Sequence, residues 1–286
     1  MKKTITSIFI GLFIIALILL GMKIYFAPDQ VNKRGIKKAS ESLEKVEEPA
    51  DDSGSTIYTF DEAKEKYTVN DALRLVNTEY TLDKDFKPKL ADYKDTGVLM
   101  NTCITDAYAA LSASVMEKCN DKLFVMSSYR SYEDQERVYE EEGAEVAALP
   151  GTSEHQTGLA LDVYVFEHAG SGFIETEAGE YVNSNCQDFG FIIRYPYGQQ
   201  EKTGFDYEPW HIRYVGLPHS KIIADNNMVF DDYAALYDIG KYYEREGYLI
   251  ARMPMDKIEI PNKYDDVTLS EDGLGYVFVT IKTTAQ

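Results

Sequence analysis

Cysteine, tryptophan and histidine are scarce in this chain of 286 residues, which has three Cys, one Trp and four His. Cys103, Cys119 and Cys186 are odd in number and show no C-x-x-C spacing, which speaks against a disulfide framework or a cysteine-based zinc site and leaves them as small core residues. Nine prolines, with 44% hydrophobic and 13% aromatic residues, exclude collagen-like, low-complexity and wholly disordered classes. Basic side chains are also few, 29 Lys and Arg against 48 Asp and Glu, for a net charge of −19. A body of that sign is unsuited to binding a phosphate backbone, so nucleic acid drops out as a partner. Serine-nucleophile signatures are missing as well. Ser127, Ser128 and Ser131 lack a G-x-S-x-G elbow, and no S-x-x-K of penicillin-binding type stands in a suitable context. No internal repeat is visible, and the length suits one large domain or two small ones.

What is present is unevenly spread. The first 50 residues carry 8 basic against 5 acidic side chains, and the remaining chain carries 21 against 43. Between Lys3 and Lys23 lie nineteen uncharged residues, Thr4 to Met22, nearly long enough to span a hydrocarbon core of about 30 Å. The only candidate signal-peptide cleavage point is Ala27 before Pro28, so an uncleaved signal anchor is expected over residues 1–27, with a transmembrane helix and a cytoplasmic tip. A strict count of Lys23 and the Lys33–Lys38 cluster would put the body in the cytoplasm; the family resemblance given below reverses that orientation. Residues 28–56 are charged, free of aromatics beyond the anchor and end in a Pro/Asp/Ser/Gly run, the composition of a flexible stalk.

The globular body begins near Ile57. Ile104, Tyr108, Leu111, Val115 and Cys119 recur at steps of three and four, which predicts an amphipathic helix with Thr105 or Asp106 as its N-cap. Leu123–Ser127 is apolar on both faces and reads as a central strand. Ser131 with Asp134 three residues on predicts a capped helix from Tyr132 to Glu142, stopped at Gly143. Arg130 then falls in the turn between a strand and a helix. LALDVYVF sets Ala160, Asp162, Tyr164 and Phe166 against Leu161, Val163 and Val165, and WHIRYVG sets Trp210, Ile212 and Tyr214 against His211, Arg213 and Val215. Both are strand patterns, the second entered through Pro209. The tail from Tyr248 offers short β-like runs and no chemistry.

A carboxylate at Asp162 among apolar neighbours requires a reason. His155 precedes it by seven residues, so the two would face opposite sides of a continuous strand unless Gly158 re-aims the chain. His211 adds a second imidazole, with Glu208 three residues before it. Two imidazoles and one carboxylate suit a catalytic Zn²⁺ with a fourth position for water, and a nearby non-ligand glutamate suits a proton carrier. On spacing alone, a satisfied core aspartate and two surface histidines fit equally well.

SSYRSYEDQ, SEHQTGLALDV and EPWHIRYVG, in that order, resemble the VanY-type zinc D-alanyl-D-alanine carboxypeptidases, with every fixed position of S-x-H-x-x-G-x-A-x-D and E-x-W-H matched. The resemblance begins near Leu75 and runs to about Ile239. It implies His155, Asp162 and His211 as ligands of one Zn²⁺ per chain, Glu208 as catalytic base, and Arg130 as a catalytic and substrate-binding cation for the terminal carboxylate or the oxyanion, helped by Gln135 and Ser153. A guanidinium fork that pairs bidentately with a carboxylate tells a chain end from a chain middle. The expected fold is α+β, a central antiparallel sheet with flanking helices of the Hedgehog/DD-peptidase type over residues 57–240, followed by a β-rich extension, 241–286. The implied reaction removes terminal D-alanine from peptidoglycan stem peptides outside a single-pass cell-membrane anchor, contributing to glycopeptide (vancomycin) resistance or wall remodelling, with indifference to β-lactams. An L,D-carboxypeptidase trimming tetrapeptide stems shares the same zinc site, and a non-catalytic, zinc-stabilised wall-binding or sensor domain is a reading of another class. Retention of both Glu208 and Arg130 argues against the last. Trp210 is expected to pack beside His211, His168 and His219 to lie at the surface, and Glu140–Glu142 to be a solvated helix end.

Overall fold

The computed structural model describes residues 44–46, 54–143 and 147–283. The apolar run Thr4–Met22 and most of the segment read as a stalk lie outside the described residues, and among the described residues no helix is long and apolar enough to cross a membrane. Strands β1 (Glu44–Val46), β2 (Ser55–Tyr58), β3 (Thr68–Asn70), β4 (Leu90–Asp92) and β5 (Leu99–Asn101) precede the motif-bearing part of the chain. That part holds β6 (Phe124–Ser127), β7 (Ala160–Tyr164), β8 (Phe191–Ile193) and β9 (His211–Tyr214), and the tail adds β10 (Tyr242–Arg245), β11 (Tyr248–Pro254), β12 (Ile258–Pro261), β13 (Val267–Glu271) and β14 (Tyr276–Lys282).

The alternation in LALDV and HIRY does what a period of two dictates. β7 and β9 pair antiparallel at the centre of a four-stranded sheet ordered β6-β7-β9-β8, with their apolar positions turned to one core. Leu161, Val163 and Ile212 meet Tyr108, Leu111 and Val115 of the helix Thr105–Cys119 there, together with Phe173, Val182 and Phe191. The helix differs from expectation at its start. A 3-10 turn, Thr102–Ile104, leads into it, and Asn101 caps that turn by accepting from the Cys103 amide at 3.2 Å, so neither Thr105 nor Asp106 is needed as a cap. The helix Tyr132–Glu142 forms as expected, with Ser131 Oγ accepting from the Asp134 amide at 3.1 Å and Gly143 ending it.

Leu123–Ser127, expected in the middle of a sheet, supplies its edge. Leu123 enters the core, but Met126 is 55% exposed and a bulge falls between Val125 and Ser127. The apolar run is shared between core and cleft, because Met126 lines the cavity described below.

The tail builds a second sheet, ordered β1-β10-β11-β14-β13-β3, antiparallel except where β13 runs parallel to β3. β1 and β3 come from the other end of the chain, as does β2, which pairs with β12. Both faces of β11 and β14 are buried, which explains the nearly continuous apolar run YVFVTIK. Leu249, Ala251, Met253, Val277, Val279 and Ile281 form one core with Ile258 and Ile260. Ile250 and Phe278, on the opposite face, pack with Ile222, Ile223, Phe230 and Tyr233, and through Leu73, Ile192 and Val215 with the four-stranded sheet. His219, expected at the surface, is 3% exposed at this junction, its Nδ1 2.7 Å from Tyr233 Oη and its Nε2 2.9 Å from Thr280 Oγ1. The sequence around it gives no sign of this because both partners are supplied by remote elements. His168 is exposed as expected, while of the three cysteines only Cys186 is fully buried.

Candidate active site

The ladder between β7 and β9 sets Asp162 directly opposite His211. The third residue arrives from outside the ladder, on the 3-10 turn Glu154–Thr157. Gly158 ends that turn with φ +67° and re-aims the chain into β7; a Cβ there would lie 2.8 Å from the Asn101 nitrogen and 2.9 Å from Leu90 Cδ2. The outcome is a cluster in which one ligand atom each of His155, Asp162 and His211 lies within 4.8 Å of the others.

The two imidazoles are held differently. His155 Nδ1 is 2.8 Å from the Ser128 carbonyl, which can only accept, so Nδ1 carries a proton, and Nε2 lies 3.2 Å from Asp162 Oδ2. His211 turns its Nδ1 to Asp162 Oδ1 at 3.0 Å. Both rings are 5% exposed and meet edge to face at 5.1 Å between centroids. Asp162 Oδ1 is buried and accepts no hydrogen bond, and His211 Nε2 makes none either. Burial would raise the Asp162 carboxyl, but the charges of His155 and His211 beside it outweigh this and hold the group far below the usual carboxylate range. Burial likewise opposes a charge on His211, yet Asp162 and Glu154 push it up to about 10. A site that attracts a proton so strongly between two carboxylates is one that a cation fits, and two nitrogens with one carboxylate oxygen form the donor set of a catalytic zinc site.

Glu208 stands beside this cluster, its Oε2 3.7 Å from His211 Nδ1. Burial raises its carboxyl above the ordinary range, the lowering influence of His211 notwithstanding. Arg130 is pinned at two points, Nη1 donating to Gln135 Oε1 and Nη2 to Ser127 Oγ, both at 2.9 Å. Gln135 is 1% exposed and its amide nitrogen donates to the Ala148 carbonyl at 2.7 Å, so this residue orients Arg130. Arg130, Gln135, Ser153 and Glu208 line one cavity of about 430 Å³ with the His/Asp/His cluster, and Met126 and Trp210 contribute apolar wall. The structure therefore brings together every site residue named from the sequence. Trp210 also packs against the sheet core beside His211, as expected.

Missed from sequence are Glu154, Arg194 and Arg213, all essentially inaccessible to water around the back of His211. A signal existed for Arg213, which shares the His211 face of β9 by alternation, and for Glu154, which lies between Ser153 and His155.

Two residues set opposite each other in one ladder, a third on a glycine-ended turn and a guanidinium in the same cavity make a His/Asp/His cluster with the donor set of a zinc hydrolase. The sequence comparisons agree. The VanY family, described as D-alanyl-D-alanine carboxypeptidase, matches residues 98–217. A D-alanyl-D-alanine carboxypeptidase of Enterococcus faecium is 33% identical over 243 residues, 76% of this chain and 77% of that protein. Among solved structures, the LdcB LD-carboxypeptidase is 32% identical with a TM-score of 0.54, covering 58% of this chain and 87% of its own. The D,D-pentapeptidase VanY of a VanB-type resistance cassette, an E175A mutant in complex with Zn(II), is 29% identical with a TM-score of 0.51, covering 57% and 98%. The chain belongs to the VanY family of carboxypeptidases, and zinc is its metal.

Proposed function

We propose that this chain hydrolyses the last peptide bond of peptidoglycan stem peptides ending in D-Ala-D-Ala and releases D-alanine. The observation that carries this reading is the placement of Arg130, fixed by Gln135 and Ser127, in the cavity that also holds Glu208 and the His155, Asp162 and His211 cluster. The Arg130 guanidinium pairs with the free carboxylate of the substrate, which selects a chain end and carries the last peptide bond into the cavity. Ser153, on the same wall, offers a hydroxyl to that carboxylate. His155, Asp162 and His211 would hold the zinc, which would supply Lewis acidity toward the scissile carbonyl and lower the pKa of water toward 7. Glu208, with a carboxyl raised by burial, takes a proton from the attacking water and passes it to the leaving amine. The bond broken is the C–N of the last amide; the bond formed is C–O to the shortened stem, and the amine leaves protonated.

Thr4–Met22 anchors the enzyme and the body acts outside the membrane, where removal of terminal D-alanine depletes the D-Ala-D-Ala target of glycopeptide antibiotics. The likeness to LdcB supports a second reading, cleavage of the L-to-D bond of a tetrapeptide. The full chain is assayed for amino acid released from defined penta- and tetrapeptide stems, with and without chelation. D-alanine from the pentapeptide, lost on chelation and restored by zinc, is the expected result. Metal-independent release overturns the proposal, and release from the tetrapeptide alone replaces it with the second reading.

A further inference from the structure

Behind His211 lies a set of charges with almost no access to water. Side-chain exposure is 0% for Glu154, 0% for Arg213 and 1% for Arg194, an arrangement that costs folding free energy unless every lone pair and proton is used. Nearly all are. Glu154 Oε1 accepts from Arg194 Nε at 2.8 Å and from Arg213 Nη1 at 2.7 Å. Arg194 spends its other two nitrogens on Asp231, Nη1 to Oδ2 at 2.6 Å and Nη2 to Oδ1 at 3.1 Å. Arg213 gives Nη2 to the carbonyls of Ala72 and Arg74 at 3.1 and 2.9 Å, and Nε to its neighbour Tyr214 at 3.0 Å.

Two atoms are left over, and they face each other. Glu154 Oε2 and His211 Nε2 are both buried without a hydrogen-bond partner, 3.8 Å apart. A cluster that served only to stabilise the fold would be complete with Oε1; it has no need to aim its second oxygen at an imidazole. A histidine whose other nitrogen is to bind metal does need such a group, because an acceptor there fixes the tautomer and raises the basicity of the ring.

We propose that Glu154 is the positioning residue of the metal site. Its Oε2, 3.8 Å from His211 Nε2, is the acceptor placed for the Nε2–H of that ring, leaving the Nδ1 lone pair toward Asp162, while Arg194 and Arg213 hold the carboxylate in place. The two histidines then present different nitrogens, His155 its Nε2 and His211 its Nδ1. The chain of contacts reaches the tail as well. Residues 72–74, which Arg213 grips, are themselves held by the second sheet through Leu73 N to Ser270 Oγ at 2.9 Å, and Leu75 N donates to the Asp272 carbonyl, also at 2.9 Å. This inference rests on His155, Asp162 and His211 being the zinc ligands.

The test measures zinc affinity of the full chain by competition with a chromophoric chelator, for wild type and Glu154→Gln, with circular dichroism and the melting temperature of the metal-free proteins as folding controls. A folded Glu154→Gln that binds zinc some 10- to 100-fold more weakly, with an unchanged KM, is expected. Equal affinity in a folded Glu154→Gln overturns the proposal and leaves the zinc reading intact. Imidazole ¹⁵N spectra of zinc-loaded wild type decide the matter even if the variant fails to fold: metal at His211 Nδ1 with a proton on Nε2 is expected, and metal at His211 Nε2 overturns it. A wild type that binds no zinc overturns the metal site and this inference together.

Discussion

The two sheets are built on the same period of two and differ in what their buried positions hold. The six-stranded sheet fills both faces with Leu249, Ile250, Ala251, Val277, Phe278, Val279 and Ile281, and its few buried polar groups close short pairs, Asp272 with Arg252 and Thr280 with His219. The four-stranded sheet gives β9 an apolar side at Ile212 and a polar side at His211 and Arg213, both almost inaccessible to water. Aliphatic burial stabilises at about 25 cal/mol per Å², whereas buried charge needs a full set of partners to break even. One sheet thus carries stability, and the other carries chemistry at some cost to stability.

That division can be broken, and the largest effect tests it first. Glu208→Gln should lower kcat by about 10²- to 10⁴-fold with melting temperature and zinc affinity unchanged, if it removes the proposed proton carrier and no packing. A large loss of stability instead would mean that Glu208 belongs to the scaffold. Phe278→Ala should do the reverse, costing about 3–5 kcal/mol in denaturant unfolding while turnover stays normal at temperatures where the protein remains folded. Arg130→Lys keeps the charge and loses the fork, so kcat/KM for stem peptides should fall about 10- to 100-fold, chiefly through KM.

His219 joins the two sheets and sharpens the boundary by pH. Burial drives its imidazole down to about 3, against about 6.5 in the unfolded chain. On acidification the unfolded chain takes up the proton first, so this contribution is complete above about pH 6.5 and is lost between there and 3, at up to about 1.4 kcal/mol per pH unit. Urea midpoints from pH 7 to 4 should show that slope, flattened in His219→Asn. The smallest effect is Ser131→Ala, about 1 kcal/mol for loss of the cap on the helix that carries Gln135.

Local signals were the legible ones. The Ser131 cap, the Gly143 stop and the turn at Gly158 depend on residues within a few positions of each other, and the ordered motifs contain every member of the His155, Asp162 and His211 cluster. What could not be read depends on remote encounters. Nothing near Leu123–Ser127 tells whether a strand pairs on one side or both, and the edge position of β6 follows from the order of the sheet. Glu154 meets Arg194 and Arg213 only after 40 and 59 residues of intervening chain have folded back. The tail's β-like runs were visible, but their partner β3 lies some 200 residues earlier, in parallel register at Leu269 and Val69.

Because Asp162 and His211 are partners in a hydrogen-bonded ladder, their spacing is set by backbone geometry, whereas His155 hangs from a turn that ends at a single glycine. Metal removal should therefore leave the strands of the pair as slow to exchange their amide protons as before and free the His155 side chain first, the turn itself staying pinned through Glu154 to Arg194 and Arg213. The enzyme would lose and regain its ion like a clasp with one moving arm, keeping two-thirds of the binding geometry ready in its absence.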